Sequence, residues 1–235
     1  MLSFTEENYL KVLLKLTIFD ADKKNVGTNE LALQLGVKPA TASDMLKKLK
    51  TKKLIDYQKY GKTSLSDLGI KSAMEVTRKH RLWETFLHQK LEFSWHEVHE
   101  VAEQLEHIKS TKLIDGLDKF LNYPEFDPHG DAIPNKKGEI KTLYNKILTN
   151  VTAGKACKMK AVKDNSTLFL QYIVELGLAI DVTIQVITKH PYDRSMVVKI
   201  NNKETYISKM VADNIFVVCK NCSDDKECIV NQCEL

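Results

Sequence analysis

Residues 28–66 read TNELALQLGVKPATASDMLKKLKTKKLIDYQKYGKTSLS. Thr28 suits an N-cap, NELALQL carries helical spacing, and Gly36 stops the run. Val37 and Lys38 form a short turn. Pro39 suits the first position of the next helix, where a missing N–H costs nothing, and ATASDMLKKLKTKK continues it. Leu31, Ala32 and Leu35 of the first helix are placed to pack on Met45, Leu46 and Leu49 of the second. Leu54–Tyr60 then reads as a strand, Gly61-Lys62 as a turn and Thr63–Ser66 as the return. Two helices joined through a glycine turn and followed by a hairpin predict a winged helix-turn-helix.

The apolar packing leaves Thr41, Ser43, Asp44, Lys47 and Lys48 facing outward. Small hydroxyls near a helix N-terminus can reach base edges in a major groove, and lysines further along suit phosphates. Residues 38–62 hold eight Lys and two acidic residues, a local +6. Such local basicity is the footprint of DNA binding, and Lys59 and Lys62 on the wing are candidate backbone contacts. The competing reading is a solvated, Lys-rich helix pair; Asp44 on the reading face speaks mildly for it, although a carboxylate can accept from cytosine.

Outward from this stretch the chain is mixed. Residues 4–19 show helical spacing in Phe4, Tyr9, Leu10, Val12, Leu13 and Leu16, with Thr5 suited to the helix start. Residues 20–27 are polar and read as a loop. From Asp67 to about Leu121 the pattern is helical and highly charged, broken near Trp95. Residues 122–138 hold three of the five prolines and read as a linker. From about Gly154 to Val218 the character turns to β, at Ala156–Val162, Val182–Lys189, Met196–Ile200 and Glu204–Ile207. Four of the five cysteines close the chain. The expected organisation is a winged-helix domain at 1–66, a helical domain at 67–138, a β domain at 139–218 and a Cys-rich tail at 219–235.

The 235 residues suit more than one domain. Lys+Arg total 35 and Asp+Glu 31, and the net +4 is too mild to prove a polyanion partner by itself. No apolar run nears the roughly 20 residues that span a bilayer. The start, MLSFTEENYLK, lacks the basic and apolar regions of a secretory signal, so a soluble, cytoplasmic protein with no membrane partner is expected.

Five of the seven histidines fall within residues 80–107. His80 and Glu84 are four apart; His99, Glu103, Glu106 and His107 follow at intervals of four, three and one, which places them along one helix face. Imidazole nitrogen with carboxylate oxygen suits Mn2+, Fe2+, Co2+ or Zn2+. The alternative for each pair is ordinary surface charge pairing, and His88 and His96 are read that way. The stripes become a site only if the two helices face each other.

The order of winged helix, His/Glu helices and small β domain resembles the metal-dependent repressors of the diphtheria toxin repressor and manganese transport regulator family. EENYL at 6–10, VKPATASDMLKKL at 37–49, RKHRLWE at 78–84 and VHEVAEQLEH at 98–107 carry the resemblance. It implies an ancillary metal site on His80, Glu84 and His99, and a primary one on Glu103, Glu106 and His107 with Asn8 from the first helix. His80 and Glu103 would be able to bridge the two. Glu103 stands where the iron branch has Cys, and oxygen ligation leans toward Mn2+ over Fe2+. Two positions depart from the manganese pattern: Asn8 is uncharged, and Lys11 stands where those sensors place an acidic residue. LQYIVELGLAIDVTIQVI at 170–187 resembles the SH3-like domain shared with ferrous-transport accessory proteins. The iron branch draws a Glu and a Gln from that domain; Ser166 and Phe169 fall there, with Asp164 as a nearby substitute.

The resemblance implies a homodimeric, non-enzymatic repressor in which Mn2+ or Fe2+ promotes binding to double-stranded operator DNA, governing metal homeostasis without a small-molecule substrate. Two other readings stay open. One is a metal-independent winged-helix regulator. The other is a helical carboxylate metalloenzyme, against which stands the lack of paired EXXH motifs. Cys219, Cys222, Cys228 and Cys233 have thiolates fit for Zn2+ or an iron–sulfur cluster, or form a reduced tail. Lone Cys157 reads as a small core residue.

Overall fold

Ser3 starts the first helix. Its hydroxyl accepts from the Glu6 N–H at 3.3 Å, while the Glu6 carboxylate accepts from the Ser3 N–H at 2.9 Å. This capping box satisfies two backbone donors that an open helix end would leave unpaired. Thr5 therefore lies inside the first turn and is not the cap. The computed structural model describes residues 2–19, 25–57, 62–141 and 146–219. Their helices are α1 Phe4–Leu14, α2 Thr28–Gln34, α3 Pro39–Thr51, α4 Asp67–Leu91, α5 Val98–Leu105, α6 Thr111–Phe120, α7 Thr167–Glu175 and α8 Lys209–Ala212. The strands are β1 Val26–Gly27, β2 Ile55–Tyr57, β3 Lys62–Leu65, β4 Lys146–Ile147, β5 Ala156–Val162, β6 Thr183–Lys189, β7 Met196–Ile200, β8 Lys203–Ile207 and β9 Ile215–Cys219. They fall into two compact units, one built from residues 1–91, 99–125 and 133–141, the other from 92–98, 126–132 and 142–235.

The first unit holds the helix-turn-helix. Gly36 takes φ +64°, a left-handed conformation that costs glycine little, and so turns the chain from α2 toward α3. Leu31, Ala32, Ala42, Leu46 and Leu49 are buried against one another and against Leu10, Leu13 and Leu14 of α1. Thr28 is the first residue of α2 and Gly27 its cap, one place earlier than the sequence suggests. The wing is an antiparallel sheet in the order β1-β3-β2. The sequence predicts a loop where β1 forms, because a two-residue strand has no periodicity and exists only through its pairing with β3, Val26 to Thr63 and Gly27 to Lys62.

Beyond the wing, α4 runs 25 residues and buries Ala73, Met74, Val76, Leu82 and Leu87. α6 is fastened to it by Arg78, whose guanidinium donates to Asp118 at 2.7 Å. Among the described residues no helix is long and apolar enough to cross a membrane.

The second unit is an antiparallel sheet in the order β4-β9-β5-β6-β7-β8, with irregular register at Met159/Ala161 and Val186/Thr188. Alternate residues of β5, β6, β7 and β9 point into one apolar core that also takes Leu170 and Ile173 of α7. This is the SH3-like domain expected from the sequence. α7 departs from the β character predicted for this stretch: TLFLQYIVE is rich in residues that favour strands, and burial of its apolar face overrides that preference.

A prediction separates two glycines of the first unit. A Cβ on Gly69 would lie 1.9 Å from the Leu54 carbonyl oxygen, whereas one on Gly116 in α6 meets nothing within 4 Å. Gly69→Ala should destabilise by about 2 kcal/mol or more. Gly116→Ala should stabilise by about 0.5–1 kcal/mol by removing backbone entropy from a helix interior. Urea unfolding midpoints of the two variants should move in opposite directions.

Candidate metal centre and nucleic-acid interface

The two His/Glu stripes do face each other. α4 carries His80 and Glu84; α5 and the turn after it carry His99, Glu103, Glu106 and His107. His80 Nε2 lies 3.0 Å from Glu84 Oε1 and 3.1 Å from His99 Nδ1, and His99 Nδ1 lies 3.1 Å from Glu84 Oε1. Two nitrogens and one carboxylate oxygen thus form a near-equilateral triangle. An ion with bonds of about 2.1–2.2 Å at right angles sets neighbouring ligand atoms about 3 Å apart, so the donor set fits one Mn2+- or Fe2+-type ion.

The other ring nitrogen of His80 faces a different group. His80 Nδ1 stands 2.5 Å from Glu106 Oε2. The Glu106 side chain is wholly buried, and both its oxygens accept from Lys11 Nζ at 2.7 Å. Lys11 also reaches Glu103 Oε1 at 3.6 Å. Lys11 comes from α1, so this carboxylate joins α1 and α4 to the turn that follows α5. A second contact runs beside it: His107 Nδ1 lies 2.6 Å from Glu7 Oε2, and the Phe4 ring stacks on the His107 ring at 4.5 Å.

The expected ligands therefore divide. His80, Glu84 and His99 converge; Glu106 adjoins them through His80. Glu103 is exposed, 3.5 Å from His99 Nε2. His107 is buried against Glu7. Asn8 lies on the exposed side of α1. Glu7 is the acidic residue of α1 that meets one of the expected ligands, His107, although an acidic residue in a first turn reads simply as a helix-start charge. The spacing of Glu7 with Lys11, four apart and in line with buried Leu10 and Leu14, was the available signal. Asp164 accepts from the Ser166 N–H at 2.8 Å, so it is engaged in the turn before α7.

Burial by itself would raise the Glu106 carboxyl, but the His80 hydrogen bond and the Lys11 charge together hold it below the ordinary carboxylate range. Burial likewise opposes a charged His80, yet Glu84 and Glu106 at its two nitrogens hold its pKa above the usual value.

On α3, Thr41, Asp44, Lys47 and Lys48 are exposed and Ser43 is half-buried. Lys47 Nζ pairs with Asp44 at 2.9 Å, which holds the Asp44 carboxyl low and the Lys47 ammonium high. Asp44 thus offsets the charge of Lys47 through a direct pair and that of Lys48 only at longer range. Lys50 stands over the Tyr57 ring at 5.7 Å, and Lys62 is exposed at the start of β3. Lys59 lies outside the described residues. So do Cys222, Cys228 and Cys233, while Cys219 ends β9 directly opposite Cys157. Burial pushes the Cys157 thiol up to about 12, in keeping with an inert core residue.

A winged helix-turn-helix joined in one unit to a His/carboxylate cradle defines the class: a DNA-binding protein with a place for a divalent metal. Residues 1–62 match the family model described as iron dependent repressor, N-terminal DNA binding domain; residues 66–135 match iron dependent repressor, metal binding and dimerisation domain; residues 147–219 match the FeoA domain. Among solved structures, a manganese-dependent transcriptional repressor in complex with manganese is 32% identical, with a TM-score of 0.83 over 92% of this chain and 100% of that one. The iron-dependent repressor IdeR of Mycobacterium tuberculosis is 31% identical over 132 residues, 55% of each chain. A probable metal transport system membrane protein of Chlamydia trachomatis is 41% identical over 73 residues, 31% of this chain, which span 16% of that much longer protein. The chain belongs to the diphtheria toxin repressor family of metal-dependent transcriptional repressors.

The pKa directions fix a pH dependence. A His whose pKa is raised by folding contributes stability below its unfolded value, about 6.5, and loses it as pH climbs through the folded value. Glu106, being lowered, contributes above its unfolded value and loses that on acidification. Chelator-treated protein should thus lose thermal stability from about pH 6.5 upward, and His80→Gln should abolish that slope. Added Mn2+ should stabilise more as pH rises, because only neutral imidazole ligates. Melting curves across this range with and without metal provide the check.

Proposed function

We propose that this protein is a metal-responsive transcriptional repressor that binds operator DNA as a homodimer and controls metal homeostasis in the cytoplasm. The observation that carries the proposal is the convergence of His80, Glu84 and His99 within one compact unit that also holds the winged helix. The matched DNA-binding and dimerisation domains support the two macromolecular partners. A divalent ion, when bound, supplies positive charge to the carboxylates and fixes the spacing of α4 and α5. Mn2+ is favoured and Fe2+ is the second choice, since nitrogen and carboxylate oxygen make up the donor set. A manganese-loaded relative supports Mn2+, and the iron dependent repressor family models support Fe2+.

The chain's own residues connect this place to DNA. α1 packs along α4 and carries Lys11 to Glu106. Its first turn carries Glu6 to Lys52 at the end of α3, 2.7 Å apart. A constraint on α4 and α5 is thereby felt at the reading helix. A ligand that favours one arrangement of these helices raises DNA affinity only by its preference for that arrangement, and DNA must raise metal affinity by the same factor. A dimer would set two α3 helices on half-sites about 34–36 Å apart or a multiple of that.

Fluorescence anisotropy with an operator fragment tests the reading. Mn2+, or Fe2+ under anaerobic conditions, should tighten binding about 5–150-fold, the usual range of a coupling between sites. His99→Ala should remove that increment while leaving metal-free affinity unchanged. Equal affinity with and without either metal would refute the proposal. Lys48→Ala should weaken binding to all sequences alike and reduce the salt slope by about 1, as expected of a phosphate contact.

A further inference from the structure

Two kinds of cation position exist around the His80 ring. On its Nε2 side, Glu84 Oε1 and His99 Nδ1 stand 3.0 and 3.1 Å away, at the spacing of metal ligands. On its Nδ1 side stands Glu106, whose two oxygens are both engaged by the Lys11 ammonium at 2.7 Å. We infer that Lys11 is a resident cation in place of a second metal, so that each chain binds one divalent ion, through His80, Glu84 and His99, with Glu106 as the residue that positions His80. The inference rests on the proposed metal response and concerns how many ions the helical cradle takes and which carboxylate holds none.

Three features argue for it. An ion bonded to Glu106 at about 2.2 Å would lie within contact distance of Lys11 Nζ, and two like charges that close in a wholly buried place repel strongly. In the metal-free protein Lys11 is held there by its bonds to both oxygens of a carboxylate that is shut off from water. The Glu106–His80 contact is also the arrangement that a metal-binding imidazole needs. A carboxylate on one ring nitrogen fixes the tautomer and leaves the other nitrogen's lone pair for the metal. Glu106 therefore has an assignment that needs no metal of its own. The same holds for His107, which is taken by Glu7.

A functional consequence follows. The tie between α1 and α5 exists before metal binds, because the ammonium is part of the chain. Metal at His80, Glu84 and His99 would strengthen the contacts that α4 and α5 already make.

The test uses the full-length, metal-free protein under reducing conditions. Mn2+ is titrated calorimetrically, retained metal is counted by mass spectrometry after gel filtration, and low-temperature electron paramagnetic resonance reads whether bound ions are isolated. Wild type should take one Mn2+ per chain with the spectrum of an isolated ion. Lys11→Glu should double the count to two and broaden the spectrum by exchange between neighbouring ions. Two coupled ions in wild type would overturn this inference and leave the metal-responsive reading standing. A folded Lys11→Glu chain that still takes one ion would overturn it as well. Retention of neither Mn2+ nor, under anaerobic conditions, Fe2+ in wild type would overturn both.

Discussion

A wholly buried carboxylate is the constraint around which the first unit is arranged. Glu106 costs several kcal/mol to desolvate unless opposite charge and hydrogen bonds surround it. Lys11 from α1 and His80 from α4 provide them, at 2.7 and 2.5 Å. α1 is thereby held against the consecutive helices α4 and α5 in one relative position, to which apolar packing alone would give less directional definition. Removing either partner would leave an uncompensated charge, a loss of about 3–5 kcal/mol.

The same carboxylate explains why α1 belongs to both halves of the mechanism. Its buried face, Leu10, Leu13 and Leu14, is core to the helix-turn-helix. Its polar residues point to two other places: Glu6 to Lys52 at the end of the reading helix, and Glu7 and Lys11 to α5 and the turn beyond. A short helix with charges on neighbouring faces can transmit a small shift because each contact is directional. The apolar core beneath it resists deformation. The exposed Lys47–Asp44 pair on α3 has a different role: fully solvated, it adds little stability and instead sets how much positive charge faces the phosphates.

Much of this was legible in the residues. Gly36, Pro39 and the apolar spacing of Leu31, Leu46 and Leu49 specify the helix-turn-helix locally, and the structure follows them. His80 with Glu84 also announce a shared face by their interval. The grouping of His99 with that pair follows from the family resemblance and not from the spacing, because it depends on how α4 and α5 cross. Glu7 was passed over for a related reason. An acidic residue in a first turn already has a local explanation in the helix dipole, and its partner His107 lies 100 residues away. The composition of α7 does not announce a helix because its strand-favouring residues are overruled by burial, and β1 has no signature because two residues have no period.

The central claim is that one metal and one ammonium share the cradle. Crystals of the manganese-loaded protein, measured across the manganese absorption edge, test it most directly. The account predicts a single anomalous peak per chain, flanked by His80 Nε2, Glu84 and His99, with Lys11 still on Glu106. A second peak between Glu106 and His107, with Lys11 turned out to solvent, would contradict it.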